Sequence, residues 1–138
     1  MPRYELLEHT ADVAVRVRGA DFGELYAGIV WAVVDLMADA AAVVPTRAHP
    51  LELVAAGPEE LVVALANEVL FCFETERFLL PELEVAAATA TSVRGTLRGE
   101  PLDPARHGWK TELKSATYHG LALRQTDGGL EVDLVLDV

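Results

Sequence analysis

Apolar residues recur along this chain with two different periods, and each change of period marks an element. Near the start, Val13, Val15 and Val17 alternate with Ala14, Arg16 and Arg18, the two-residue repeat of a half-buried strand. A shorter strand is expected before it, over residues 4–8. Asp12 shares the parity of Arg16 and Arg18, which assigns it to the polar face. From residue 22 the period lengthens: Phe22, Leu25, Tyr26, Ile29, Val33, Leu36 and Met37 form one helical stripe. Asp21, with Glu24 three positions on, gives that helix a capped start, and it is expected to end near Asp39.

A loop over residues 45–50 and a short strand over 51–55 come next. Gly57-Pro58-Glu59-Glu60 then opens a second helix, with proline in the first turn and acids placed favourably for the helix dipole. Leu61, Val62, Leu65, Val69 and Phe73 make its buried stripe, and it should stop before Pro81. Cys72 lies beside the stripe and is read as packing. The remaining third alternates with period two: loosely over residues 82–97, then over 110–118, 121–125 and 130–137. Gly99-Glu100-Pro101 is expected to turn the chain, residues 103–108 to form a loop holding His107, and His119-Gly120 to separate two strands. Asp127-Gly128-Gly129 is a hairpin signal. Two helices set among small groups of strands, followed by hairpins, predict an α+β fold. We expect a single domain over 1–138, a mostly antiparallel β-sheet with two main helices packed on one face.

Composition narrows the function classes. Twenty-two acids against 11 Lys and Arg leave a formal net charge of −11. RNA phosphates require clustered cations, so direct nucleic-acid binding is not expected. An acidic surface suits a cation, or a basic protein approached by electrostatic steering; it also serves plain solubility. One cysteine allows no internal disulfide, no apolar run is long enough to span a bilayer, and Met1-Pro2-Arg3 leads directly into strand-like sequence. A cytoplasmic location, with no membrane association, is the expectation.

The candidate chemistry sits at the two ends. In "EHTADVAVRVRG", residues 8–19, His9-Thr10-Ala11-Asp12 is a polar knot ahead of a strand. In "LEVDLVLDV" the alternation continues to the last residues, which predicts an ordered end with Asp137 on the polar face beside Val138. If the first and last strands are neighbours, Asp12, Asp137 and the terminal carboxylate converge, and a hard divalent cation relieves their repulsion. The alternative is that Asp12 caps a turn and Asp137 is solvated at a strand end. No phosphate-binding glycine loop, CxxC pair, HExxH or GxSxG occurs. A metal-dependent phosphoesterase built on His9, Asp12 and His119 remains the enzymatic alternative. Tyr118-His119-Gly120 reads as a turn, and Lys114 with Glu112 as an exposed pair.

Four stretches in order carry a family resemblance: "EHTADVAVRVRG", "LVVALANEVLFCFETERFL", "GEPLDPARHGWKTELKSATYHGL" and "GGLEVDLVLDV". Together they resemble the archease family over nearly the whole chain. The resemblance implies a non-enzymatic helper of the tRNA-splicing RNA ligase, which joins 2′,3′-cyclic phosphate or 3′-phosphate ends to 5′-hydroxyl ends. It implies promotion of ligase guanylylation and of multiple turnover; a chaperone or modulator of another RNA-modifying enzyme is the neighbouring alternative. It also implies a metal site, usually described with Ca²⁺ (Mg²⁺ or another divalent cation being the variant). By position the ligands are Asp12, Asp137 and main-chain or terminal oxygens of Val138, with His9, Lys114, Tyr118 and His119 around them. Ser115 departs from the resemblance, standing where an apolar or small residue is expected in the strand.

Overall fold

The structure, a computed structural model, describes residues 4–7 and 12–138. Glu8, the last residue of the first expected strand, and the His9-Thr10-Ala11 stretch lie outside the described residues. Among the described residues, seven strands and two long helices are arranged as β1 (Tyr4–Leu7), β2 (Val13–Gly19), α1 (Phe22–Met37), β3 (Arg47–Val54), α2 (Pro58–Glu76), β4 (Phe78–Ala88), β5 (Ser92–Pro101), a short α3 (Pro104–His107), β6 (Ser115–Thr126) and β7 (Gly129–Asp137). Every strand pairing is antiparallel. The α+β class with two main helices is therefore what the chain adopts. The strands divide into two sheets, ordered β1-β2-β7-β6 and β3-β5-β4. Helix α1 packs on β2 and β7 of the first sheet and β4 of the second, while α2 packs on β6, β4 and β3.

The alternation read from the sequence becomes the inner face of the first sheet. Val13 faces Leu136, Val15 faces Leu134 and Val17 faces Val132, and the last two rungs are fully buried. Burying one such aliphatic side chain contributes roughly 1.5–3 kcal/mol, so these rungs fix the β2–β7 register against a one-residue slip. Helix α1 begins as expected: the Asp21 carboxylate accepts from the backbone N–H of Glu24 at 2.8 Å. Helix α2 ends at Glu76, where Arg77 adopts a left-handed conformation (φ 57°) and its N–H closes on the Phe73 carbonyl.

Three local expectations are corrected. First, β3 begins at Arg47 rather than residue 51, with Pro50 inside it opposite Thr96. The strand lies at a sheet edge, where the missing proline N–H costs no ladder bond. Second, Gly99-Glu100-Pro101 is not a turn but the end of β5, which pairs with β4 across a bulge between Leu79 and Glu82. A side chain at Gly99 would run into the Leu79 carbonyl, so the glycine marks close strand approach, not chain reversal. The hairpin turns instead at residues 89–91.

Third, the expected loop at 103–108 is a helical turn capped by Asp103, and His107 is fully buried. His107 Nδ1 accepts from the Asp103 N–H at 2.9 Å, which leaves Nε2 as the donor to Glu100 at 2.8 Å. Glu100 also accepts two 2.8 Å bonds from Arg106 and one of 2.7 Å from the Val44 N–H. These donors, the Arg106 guanidinium foremost, hold its carboxyl down at about 2.

Candidate functional site

Strands β2 and β7 bring the two ends of the sequence together. Their ladder closes on the rung Val13–Leu136; Asp12 immediately precedes the one and Asp137 immediately follows the other. The two aspartates therefore share the same end of one antiparallel pair. On the other side of β7, Ser115 of β6 is the direct partner of Asp137. Asp12, Asp137 and Ser115 thus come from three adjacent strands, an arrangement imposed by the buried valine and leucine rungs beside them.

Asp137 is held by two contacts. Its carboxylate accepts from the Ser115 hydroxyl at 3.1 Å, and its carbonyl accepts from the Lys114 N–H at 2.9 Å. Among the described residues no arginine or lysine side chain pairs with that carboxylate. Ser115 is consequently no packing fault: its hydroxyl orients the acid opposite it. Asp12 is half-buried at a bend, and Val138 is exposed beyond the end of β7. The donors that Asp12, Asp137 and Val138 offer are oxygens, the chemistry that suits Ca²⁺ or Mg²⁺ rather than a soft metal.

Helix α2 reaches this edge through Asn67, whose side-chain carbonyl accepts from the Ala116 N–H at 2.7 Å. That bond fixes the start of β6 and, with it, Ser115. Asn67 is one of only two side-chain amides in the chain, the one signal that could have drawn notice to it. Pattern reading located the residue on α2 but gave it no role, because its partner lies 49 positions away.

Tyr118 and His119 sit in a different setting from the one the sequence suggests. They do not separate two strands; β6 runs continuously and bulges between Thr117, opposite Val135 of β7, and Ala122, opposite Asp133. Gly120 takes φ +76° there, and a side chain on it would press on Val135. Both Tyr118 and His119 are exposed, in the bulge just past the Thr117–Val135 rung, which is two rungs from the Ser115–Asp137 pair. The His119 N–H donates to the Thr117 hydroxyl at 3.1 Å. Lys114 lies directly before Ser115, and its expected pairing with Glu112 does not form: Glu112 pairs with Arg77 at 3.4 Å. His9 lies outside the described residues.

Residues 4–138 match the model of the Archease protein family. A Methanopyrus kandleri protein named archease is 34% identical, over 98% of this chain and 99% of its own. An archease of Pyrococcus abyssi is 28% identical over the full length of both. A solution structure of a Methanobacterium thermoautotrophicum protein superposes with a TM-score of 0.82 at 23% identity, covering 98% of each chain. A Thermotoga maritima crystal structure, described as an archease and possible chaperone, gives 0.69 at 19% identity, covering 96% of this chain and 94% of its own. The two structures bear on the fold alone.

Proposed function

The chain belongs to the archease family, and from that premise we propose that it is a non-catalytic accessory of the tRNA-splicing RNA ligase, acting through a divalent cation, Ca²⁺ in the first instance. The ligands are Asp12, Asp137 and a main-chain oxygen of Val138. The observation that carries this reading is the β2–β7 register, which sets Asp12 and Asp137 at one strand end with no cationic side chain on Asp137. A second carboxylate at one strand end adds negative charge, and a cation bound between Asp12 and Asp137 relieves that repulsion. The donor set fits a hard ion.

When bound, the ion supplies positive charge at a strand end that is otherwise anionic. The chain's own contribution is positional. The Ser115 hydroxyl aims the Asp137 carboxylate, the Lys114 N–H fixes the carbonyl beside it, and Asn67 anchors the strand that carries both. Tyr118 and His119, raised on the β6 bulge nearby, furnish a contact surface for the partner. A ligase that grips RNA presents basic surface, and a helper of net charge −11 is steered toward it.

Guanylylation and multiple-turnover ligation, measured with and without this protein, test the reading. The wild type should stimulate both, and Asp12→Asn should not. Full stimulation by that variant would remove the site from the mechanism. Robust turnover of simple phosphodiesters by the protein alone would make it an enzyme instead.

A further inference from the structure

A second cluster of ligand atoms lies where the edge strand β3 crosses α2, its Glu68 lining a groove that also includes Lys114 and Ser115. Glu68 and Cys72 are four residues apart on α2 and therefore share one face of it. His49 points the same way as Leu51 and Leu53 of β3, the row that packs toward the helix. Its Nε2 lies 3.7 Å from Cys72 Sγ and 3.6 Å from Glu68 Oε1, and one donor atom from each residue falls within 4.8 Å of the others. We propose that His49, Glu68 and Cys72 form a second, zinc-class metal site, distinct from the oxygen-only site at the strand ends.

The donor chemistry selects the ion. One imidazole nitrogen, one thiolate and one carboxylate oxygen suit a borderline ion, unlike the hard-oxygen set of Asp12 and Asp137. The spacing selects it too. Zn–N and Zn–S bonds of about 2.0 and 2.3 Å at a tetrahedral angle place the ligand atoms roughly 3.5 Å apart. The observed 3.6 and 3.7 Å edges meeting at Nε2 need only a small adjustment to close on an ion. His49 and Glu68 side chains are 35% and 30% exposed, so a fourth coordination position opens to solvent.

Without an ion the Cys72 thiol is pushed up to about 11, by burial first and then by Glu68 and Glu76. A divalent cation reverses the influence of those carboxylates and displaces the thiol proton on binding. Loaded, the site ties the free edge of the second sheet to α2 and shields the chain's single thiol.

Co²⁺ is the decisive probe, because this chain has one cysteine and any thiolate-to-cobalt charge-transfer band must report Cys72. Metal-stripped protein titrated with Co²⁺ should develop that near-ultraviolet band with visible bands of tetrahedral intensity. They should saturate at one equivalent and be displaced by Zn²⁺. Cys72→Ser should abolish the charge-transfer band, and His49→Ala, a half-exposed site that keeps the thiol, should weaken binding at least about tenfold. Asp12→Asn should leave the bands unchanged. Absence of the band in the wild type, or its persistence at full strength in folded His49→Ala, overturns the proposal; the triad is then a hydrogen-bonded cluster.

Discussion

Glu131 and Asp133 stand toward one end of the outer face of β7 and Asp137 at the other, and their neighbours differ in kind. Asp133 accepts a paired contact from Arg16 at 2.7 and 3.0 Å and a third from Arg124 at 2.9 Å. Glu131 accepts from Arg18 at 2.7 Å and from Arg124. Three arginines from β2 and β6 thus hold two acids in a continuous network, the arrangement in which surface ion pairs contribute most. Four residues on, Asp137 meets a hydroxyl instead of a guanidinium. The strand, side-chain class and face are the same, yet Glu131 and Asp133 are paired with arginines, whereas Asp137 has, among the described residues, no arginine or lysine side chain on its carboxylate. The difference teaches that an acidic strand face is not uniform: the strands on either side decide which of its acids receive an internal counter-charge.

Removing the acids one at a time should break the comparison most sharply. Asp137→Asn should weaken Ca²⁺ binding on the order of 100-fold by calorimetry, beyond the loss typical of supporting residues, with little change in stability. Asp133→Asn should do the converse: Ca²⁺ affinity unchanged, and stability in urea lowered by about 1–3 kcal/mol, since charged partners lose their acceptor. Equal metal effects of the two substitutions would erase the distinction. Ser115→Ala, which removes only the orienting hydroxyl, should cost about tenfold in Ca²⁺ affinity and leave the unfolding midpoint nearly untouched.

Acid provides the mildest probe. Arg16 foremost, with Arg124, holds Asp133 at about 2, and Arg106 does the same for Glu100. Both values lie below those of the unfolded chain. The stabilisation they give is therefore complete above the ordinary carboxylate range and is lost as pH falls through it toward 2. Thermal unfolding followed from pH 6 down should show a stability loss beginning near pH 4, and Asp133→Asn should flatten it. An unchanged slope in that variant would mean that the arginine network contributes nothing to stability.

Much of the fold is legible in local patterning. The 22–37 stripe, the Gly57-Pro58 start and the Asp-Gly-Gly turn each specify an element from a few adjacent residues. The placement of Asp12 and Asp137 at one end of neighbouring strands was anticipated as well, from the alternation of β2 and β7, which Val135 interrupts only once. Pro50 misled because proline ends most strands, whereas a sheet edge accommodates it. Gly99 and Gly120 misled because close strand approach and chain reversal call for the same residue.

What the sequence determined alone was periodicity: which positions are apolar, with what repeat, and which acids share their polar faces. Tertiary structure alone decided how the strands divide between two sheets and that Ser115, not an arginine, stands opposite Asp137. It also decided that Asn67 anchors β6, that His107 is buried on Glu100, and that His49 meets Glu68 and Cys72. The physical reason is range. A repeat of two or 3.6 is set by each residue's own backbone geometry, while a contact across tens of residues exists only once burial has chosen which faces meet.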